Sequence, residues 1–289
     1  GNVFEVSGPI GAMLSANLLG GDVSLHSTGA GGLWINPNAN MSYTSAHDFN
    51  LLSAYDVDIR RTIQNAGSGN LNVVAGWNPA VGALAHPATG IIAGVDMAGK
   101  IFNTPASFGN SNGRVILSNA AVASSVGSLS GQTNVAGHAV SLSGGAAASA
   151  YAQIGYRGAG TGAIEVHAKD GGVNLAGGTG TDSFAQIGHG GRSVAGVKSG
   201  NITVISGNGV SAAGGLGAGS NAYAQIGHGG YGSAGVVGSA GATGTSDIVV
   251  RGGSGAILLA AGGNAAANAH YNYAKIGHGG DFSLDAVHG

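Results

Sequence analysis

The sequence predicts an all-β protein, a right-handed parallel β-helix (β-solenoid) with triangular coils of three short strands and Gly-rich corners. Three observations predict it: glycine supplies 59 of 289 residues, charged residues are only 8%, and one octapeptide recurs four times. Against a background of ~7%, that much glycine says bare backbone is needed again and again. Flexible linkers are glycine-rich too, but 43% hydrophobic residues and a positive mean hydropathy are unlike a disordered chain. Corners that need φ > 0 are the remaining use, because glycine accepts them without steric cost. Glutamate occurs only at Glu5 and Glu165, so the usual filling of helix surfaces is missing and β structure is favoured.

The octapeptide copies run Tyr151 to Gly158 (YAQIGYRG), Phe184 to Gly191 (FAQIGHGG), Tyr223 to Gly230 (YAQIGHGG) and Tyr273 to Gly280 (YAKIGHGG), with starts 33, 39 and 50 residues apart. A constant motif at a variable period means insertions between fixed elements. Two further segments recur. One is a β-branched run at Ile164–Val166, Ile202–Ile205 and Ile248–Val250; the other ends in Gly-Gly at Val140–Gly145, Val173–Gly178, Val210–Gly215 and Ile257–Gly263. Each unit therefore holds three short strands. The second and third strands start 9, 8 and 9 residues apart, whereas 6, 11 and 18 residues separate the octapeptide's last glycine from the second strand. One corner is fixed and another takes loops, chiefly 191–201 and 231–247. Ile154, Ile187, Ile226 and Ile276 should point inward and stack at the ~4.8 Å spacing of neighbouring strands. Tyr151, Phe184, Tyr223 and Tyr273 should stack as like rings. Right-handed winding follows from the bias of parallel crossovers.

The first half lacks the octapeptide but keeps the texture of strand and turn. Asp22–His26, Leu33–Ile35, Met41–Thr44, Asp48–Ser53, Asp56–Arg60 and Asn70–Ala75 read as strands. The chain is thus expected to form one continuous solenoid over 1–289, with less regular coils over 1–76 and the octapeptide coils over 114–289. Between them, 77–113 carries Pro79, Pro87 and Pro105 and is expected to be a loop or excursion; Arg114–Leu117 resumes the rhythm. Coils of ~20–25 residues would make about a dozen windings and a shaft of roughly 50–60 Å.

Ten basic against twelve acidic residues leave no basic stripe for phosphates, so no nucleic acid partner is expected. No run approaches the ~18 apolar residues of a spanning helix, so no membrane insertion is expected. Cysteine is absent, which removes disulfides, zinc thiolates and thiol nucleophiles together. The opening GNVFEVSG has neither Met nor a signal-peptide pattern, and the chain is expected to be mature or excised from something longer. No cofactor is called for.

Four constellations invite chemistry. His189, His228 and His278 share one octapeptide position, with Tyr156 there in the first copy; they read as a metal ladder or as imidazoles capping backbone at a glycine corner. Residues 177–185, GGTGTDSFA, fit the calcium nonapeptide G-G-x-G-x-D-x-U-x, yet the other coils do not supply the counterpart of Asp182. The G-x-G-x-x-G at 230–235 has no βαβ context and carries no weight. Asp56 and Asp58 alternate with Val57 and Ile59 beside Arg60 and Arg61: a carboxylate pair of the kind glycosidases use, or a self-neutralising solvated patch. No catalytic residue is assigned. Trp34, Tyr43, Tyr55 and Trp77 are the aromatics suited to a sugar or protein partner.

Residues 38–77, NANMSYTSAHDFNLLSAYDVDIRRTIQNAGSGNLNVVAGW, resemble the repeats of filamentous-haemagglutinin-like exoproteins of two-partner secretion systems, and the IGHGG copies look like those of large secreted β-solenoid adhesins. The uneven coils of the second half depart from that family's pattern. The resemblance implies an extracellular or cell-surface exoprotein. The function expected is a non-enzymatic adhesin-type shaft presenting loops to a host or surface receptor or glycan. The alternatives are a self-assembling filament built by head-to-tail self-association, and a polysaccharide-cleaving β-helix enzyme.

Overall fold

The computed structural model describes residues 4–6, 8–35, 40–77, 91–92, 95–96, 112–237, 246–263, 269–282 and 284–287. Three parallel sheets form the walls of a triangular solenoid. Sheet I holds eight strands: β1 (Phe4–Val6), β3 (Leu33–Ile35), β6 (Val57–Ile59), β11 (Arg114–Ser118), β14 (Ala139–Ser143), β17 (Val173–Ala176), β20 (Val210–Ala213) and β24 (Ile257–Ala260). Sheet II holds β4 (Met41–Tyr43), β7 (Thr62–Asn65), β12 (Ser124–Ser128), β15 (Ala152–Ile154), β18 (Ala185–Ile187), β21 (Ala224–Ile226) and β25 (Ala274–Ile276). Sheet III holds β2 (Val23–Ser27), β5 (Phe49–Ser53), β8 (Leu71–Ala75), β13 (Thr133–Gly137), β16 (Ile164–Ala168), β19 (Ile202–Ser206) and β23 (Ile248–Arg251). From β3 onward the chain passes through sheets I, II and III in turn.

Pairing is in register from coil to coil, so like positions lie over like. Ile154 pairs with Ile187, Ile187 with Ile226, and Ile226 with Ile276. The first three are fully buried and Ile276 is half-buried against the same core. One contiguous core therefore runs along the axis, filled by Val, Ile and Leu from all three sheets. Glycine earns its frequency where coils touch. A Cβ at Gly188 (φ 152°) would sit 2.0 Å from the Gly227 carbonyl oxygen, and one at Gly227 (φ 152°) 2.0 Å from that of Gly277.

Three expectations need correction. The described shaft has seven coils and part of an eighth, about 34 Å at the ~4.8 Å spacing, not a dozen coils. Only the early coils are short: Leu33 and Val57, which pair, are 24 residues apart, while Val210 and Ile257 are separated by 47. The second correction is a helix, α1 (Gly8–Asn17), between β1 and β2, where later coils have a sheet II strand. Its Leu14, with Leu18 just beyond, joins the core, closing that end with apolar side chains. The third concerns the insertions. Ala195 bridges Ala234, Lys198 bridges Val237, and β22 (Ala234–Val237) pairs in parallel with β26 (Leu284–Val287). The described parts of 191–201 and 231–247 thus stack as a fourth, narrower column.

β11 pairs directly with β6, Val115 on Val57, so the solenoid resumes on the coil it left. Of the expected excursion, Trp77, Asn112 and Gly113 at its margins are described, β9 (Ile91–Ile92) and β10 (Val95–Asp96) form an antiparallel pair, and 78–90, 93–94 and 97–111 lie outside the described residues. Among the described residues no helix is long and apolar enough to cross a membrane.

Candidate functional site

The octapeptide builds three ladders on sheet II and the corner after it. Tyr151, Phe184, Tyr223 and Tyr273 stack at 4.8, 4.8 and 4.9 Å, tilted by no more than 4°. His189, His228 and His278 stack at 5.0 and 5.1 Å, so the insertions do not separate them. Each imidazole is held at both nitrogens. Nδ1 accepts the backbone N–H one coil back: Tyr156 to His189 at 2.9 Å, His189 to His228 at 3.0 Å, His228 to His278 at 3.2 Å. Nε2 lies 2.7 Å from the carbonyl oxygens of Gly162, Gly200 and Ser246 respectively, which makes it the protonated nitrogen. Neutral rings so engaged offer no lone pair to a metal, and the geometry is that of backbone capping. Burial lowers all three pKa values, that of His189 to about 4.

The third ladder was legible but unread. Gln153, Gln186 and Gln225 are fully buried, and each Nε2 donates to two glycine carbonyls of the next coil: Gly188 and Gly190, Gly227 and Gly229, Gly277 and Gly279. Tyr223 and Tyr273 donate their hydroxyls to Oε1 of Gln186 and Gln225. Phe184 has no hydroxyl to give, and Gln153 Oε1 is buried without a partner. Three identical glutamines at one motif position were the available signal. Lys198 was also missed: it is fully buried, its ammonium donating to the carbonyls of Val194, Gly196 and Ala234.

Asp182 sits on a left-handed backbone (φ 63°), and both oxygens are engaged, one by Arg192 and the other by the Asn221 amide, each at 2.8 Å. Its surroundings are those of a corner cap. Among the described residues no three His, Asp or Glu side chains group as metal ligands.

The outward face of sheet I brings the other candidates together. Trp34, Asp58 and Ile116 are neighbours in one column. Arg60 donates to Asp58 Oδ2 from Nε and one terminal nitrogen, at 2.9 and 2.8 Å, and its guanidinium lies 4.9 Å over the Trp34 ring. Arg114 donates to Asp56 from backbone and side chain, both at 2.8 Å. These hydrogen bonds raise both arginine pKa values. The result is a shallow groove of ≈ 320 Å³ lined by Trp34, Asp58, Arg60, Arg114 and Ile116, beside a cleft of ≈ 500 Å³ lined by Tyr55, Asp56 and Asn112. Neither carboxylate faces the groove free of an arginine. Two buried atoms in the Trp34–Asp58 pair lack partners, the Nε1 donor and the Oδ1 acceptor. Trp77 is buried beside His26, and Tyr43 packs edge-on to Phe49 in the core, so neither is a surface aromatic.

No family model, curated protein or solved structure matches the chain. It offers a solenoid shaft, a polar groove in which each carboxylate is paired with an arginine, and imidazoles and glutamine amides that hydrogen-bond from coil to coil.

Proposed function

We propose that the chain is a non-enzymatic shaft of a secreted or cell-surface adhesin, holding the sheet I groove and the outward corners toward a surface receptor or glycan. The observation that carries this reading is the unbroken in-register ladder: the imidazoles, amides and corner carboxylates that could do chemistry are absorbed into holding one coil on the next. A rod of that kind suits display, since binding surface borne on a rigid scaffold keeps its shape. The exoprotein resemblance and the lack of cysteine favour the same reading.

Attachment of the labelled chain to epithelial cells, abiotic surfaces and biofilm matrix tests it. Saturable attachment is expected, with no release of reducing ends from a polysaccharide panel. Release of reducing ends that disappears in Asp56→Ala and Asp58→Ala would make the chain a polysaccharide-cleaving enzyme instead.

The filament reading keeps one specific observation. Among the described strands β24 pairs on one side only, with β20, and its Ile257, Leu258 and Leu259 are 44%, 61% and 50% exposed. An unpaired strand edge of this kind templates further pairing. Electron microscopy separates the two readings: short rods are expected, and long fibres of uniform width would favour the filament.

A further inference from the structure

The coils are an internal control for one another, and the last coil breaks their rule at two corners. The first corner lies two residues before the octapeptide ring and holds left-handed backbone at Ser149, Asp182, Asn221 and Tyr271, with φ of 61°, 63°, 60° and 61°. The second lies two residues after the octapeptide's last glycine, at Ser193, Gly232 and Phe282, with φ of 56°, 63° and 53°. Small or turn-forming residues are the usual occupants, because they either lack a clashing Cβ or hydrogen-bond locally. A bulky ring at such a position carries a steric cost, and strained positions cluster at ligand clamps. In the last coil both corners are aromatic.

The two rings meet each other and a third. Tyr231 and Tyr271 have centroids 4.8 Å apart, Tyr271 and Phe282 5.1 Å edge to face, and Tyr231 and Phe282 5.9 Å. The core gains little from them, since Phe282 is 68% and Tyr271 37% exposed. Asp281 is the one charged residue on the corner segments 269–272 and 279–282, and the neighbouring Lys275 spends its ammonium on the carbonyls of His278 and Gly279, at 2.7 and 3.1 Å.

We propose that Tyr231, Tyr271 and Phe282 form a binding platform for the ring faces of a neutral polysaccharide. A pyranose presents a face of polarised C–H bonds, which the negative face of an aromatic ring attracts, and a rim of hydroxyls, which two tyrosine hydroxyls, His270 and Asp281 can meet. Tilted, exposed rings suit a chain of such sugars better than a buried apolar anchor, which needs a closed pocket. The biological sense of the platform rests on the adhesin reading; its chemistry does not.

Tyr271→Asn and Phe282→Gly restore the residues that Asn221 and Gly232 place at these corners, so they separate binding from packing. The probes are insoluble cellulose, chitin and starch granules, with heparin beads as the charged comparison. Depletion of the chain by at least one neutral polymer is expected, weakened tenfold or more in each variant, with the thermal midpoint unchanged or raised. A lowered midpoint with binding retained would make the rings an end cap and overturn the proposal. So would depletion by none of the neutral polymers, depletion by heparin alone, or a dimer in sedimentation that the variants abolish. If attachment to cells persists in both variants, the platform is refuted as the attachment site while the shaft reading stands.

Discussion

At the scale of single residues, the octapeptide works as a set of hydrogen-bond relays in a dry interior. Tyrosine hydroxyl, glutamine amide and glycine carbonyl form one chain from coil to coil, and a buried polar group without its partner costs ~1–3 kcal/mol. The orphan at Gln153 Oε1 makes this testable. Phe184→Tyr places a hydroxyl where Tyr223 and Tyr273 carry theirs, and it should stabilise the protein by about 1 kcal/mol in urea denaturation. A destabilised variant would mean that the relay geometry is wrong. The histidine ladder gives a second expectation. Folded, the rings are neutral with lowered pKa values, foremost by burial; unfolded, they take up protons near 6.5. The unfolded state therefore binds more protons in that window, and stability present above pH ~6.5 should fall as the pH drops toward 4. The urea midpoint should be lower at pH 5 than at pH 7.5, and the difference should shrink in His189→Gln.

At the scale of elements, the register of sheet II depends on backbone passing close to backbone. Alanine at Gly188 would put a methyl group 2.0 Å from the Gly227 carbonyl oxygen on a backbone with φ of 152°, and neither can move without breaking the ladder. Gly188→Ala is expected to yield insoluble chain or to lose several kcal/mol, well beyond the ~1 kcal/mol of an ordinary helix-interior exchange. Soluble protein with an unchanged melting temperature would contradict that packing. This is also the scale at which the sequence was most legible. The recurrence of YAQIGHGG placed Ile154, Ile187, Ile226 and Ile276 in one column, and the β-branched and Gly-Gly runs became sheets III and I. Helix α1 was hidden because GPIGAMLSAN is rich in glycine and has no capping charge or clear apolar stripe. The stacking of the insertions was hidden too, since Ala195 on Ala234 and Lys198 on Val237 share no motif. The pairing of Arg60 with Asp58 across Trp34 follows the local alternation of β6, whereas Arg114 reaches Asp56 only after the intervening excursion, a contact no local pattern encodes.

At the scale of the whole molecule, stability is close to a sum of coil and coil-to-coil terms, so the ends should open before the middle. One end carries Leu14 and Leu18 in the core; the other leaves β24 on the outside. Amides of Ile257–Ala260 are expected to exchange faster than those of Val173–Ala176 by a hundredfold or more, measured by hydrogen exchange, and uniform protection would deny the one-dimensional build. The candidate site was less legible than the fold for a related reason: a solenoid repeats its scaffold, while a binding surface is written in the departures from the repeat. Asp56, Asp58 and Trp34 stood out by residue type, but Tyr271 and Phe282 become visible only when each coil is laid on the one before it.

The stacked coils depend on their register, and the absence of native cysteine allows it to be read directly. Asn174 and Ser211 are paired on the outward face of sheet I, side chains 2.8 Å apart, whereas Ser141 lies two coils from Ser211. Mild oxidation of Asn174→Cys/Ser211→Cys should close a disulfide in nearly every molecule, because in-register neighbours fall within the reach of that bond. The Ser141→Cys/Ser211→Cys chain should stay reduced. The reverse result, or equal cross-linking in both, would contradict the stacked coils and everything built on them.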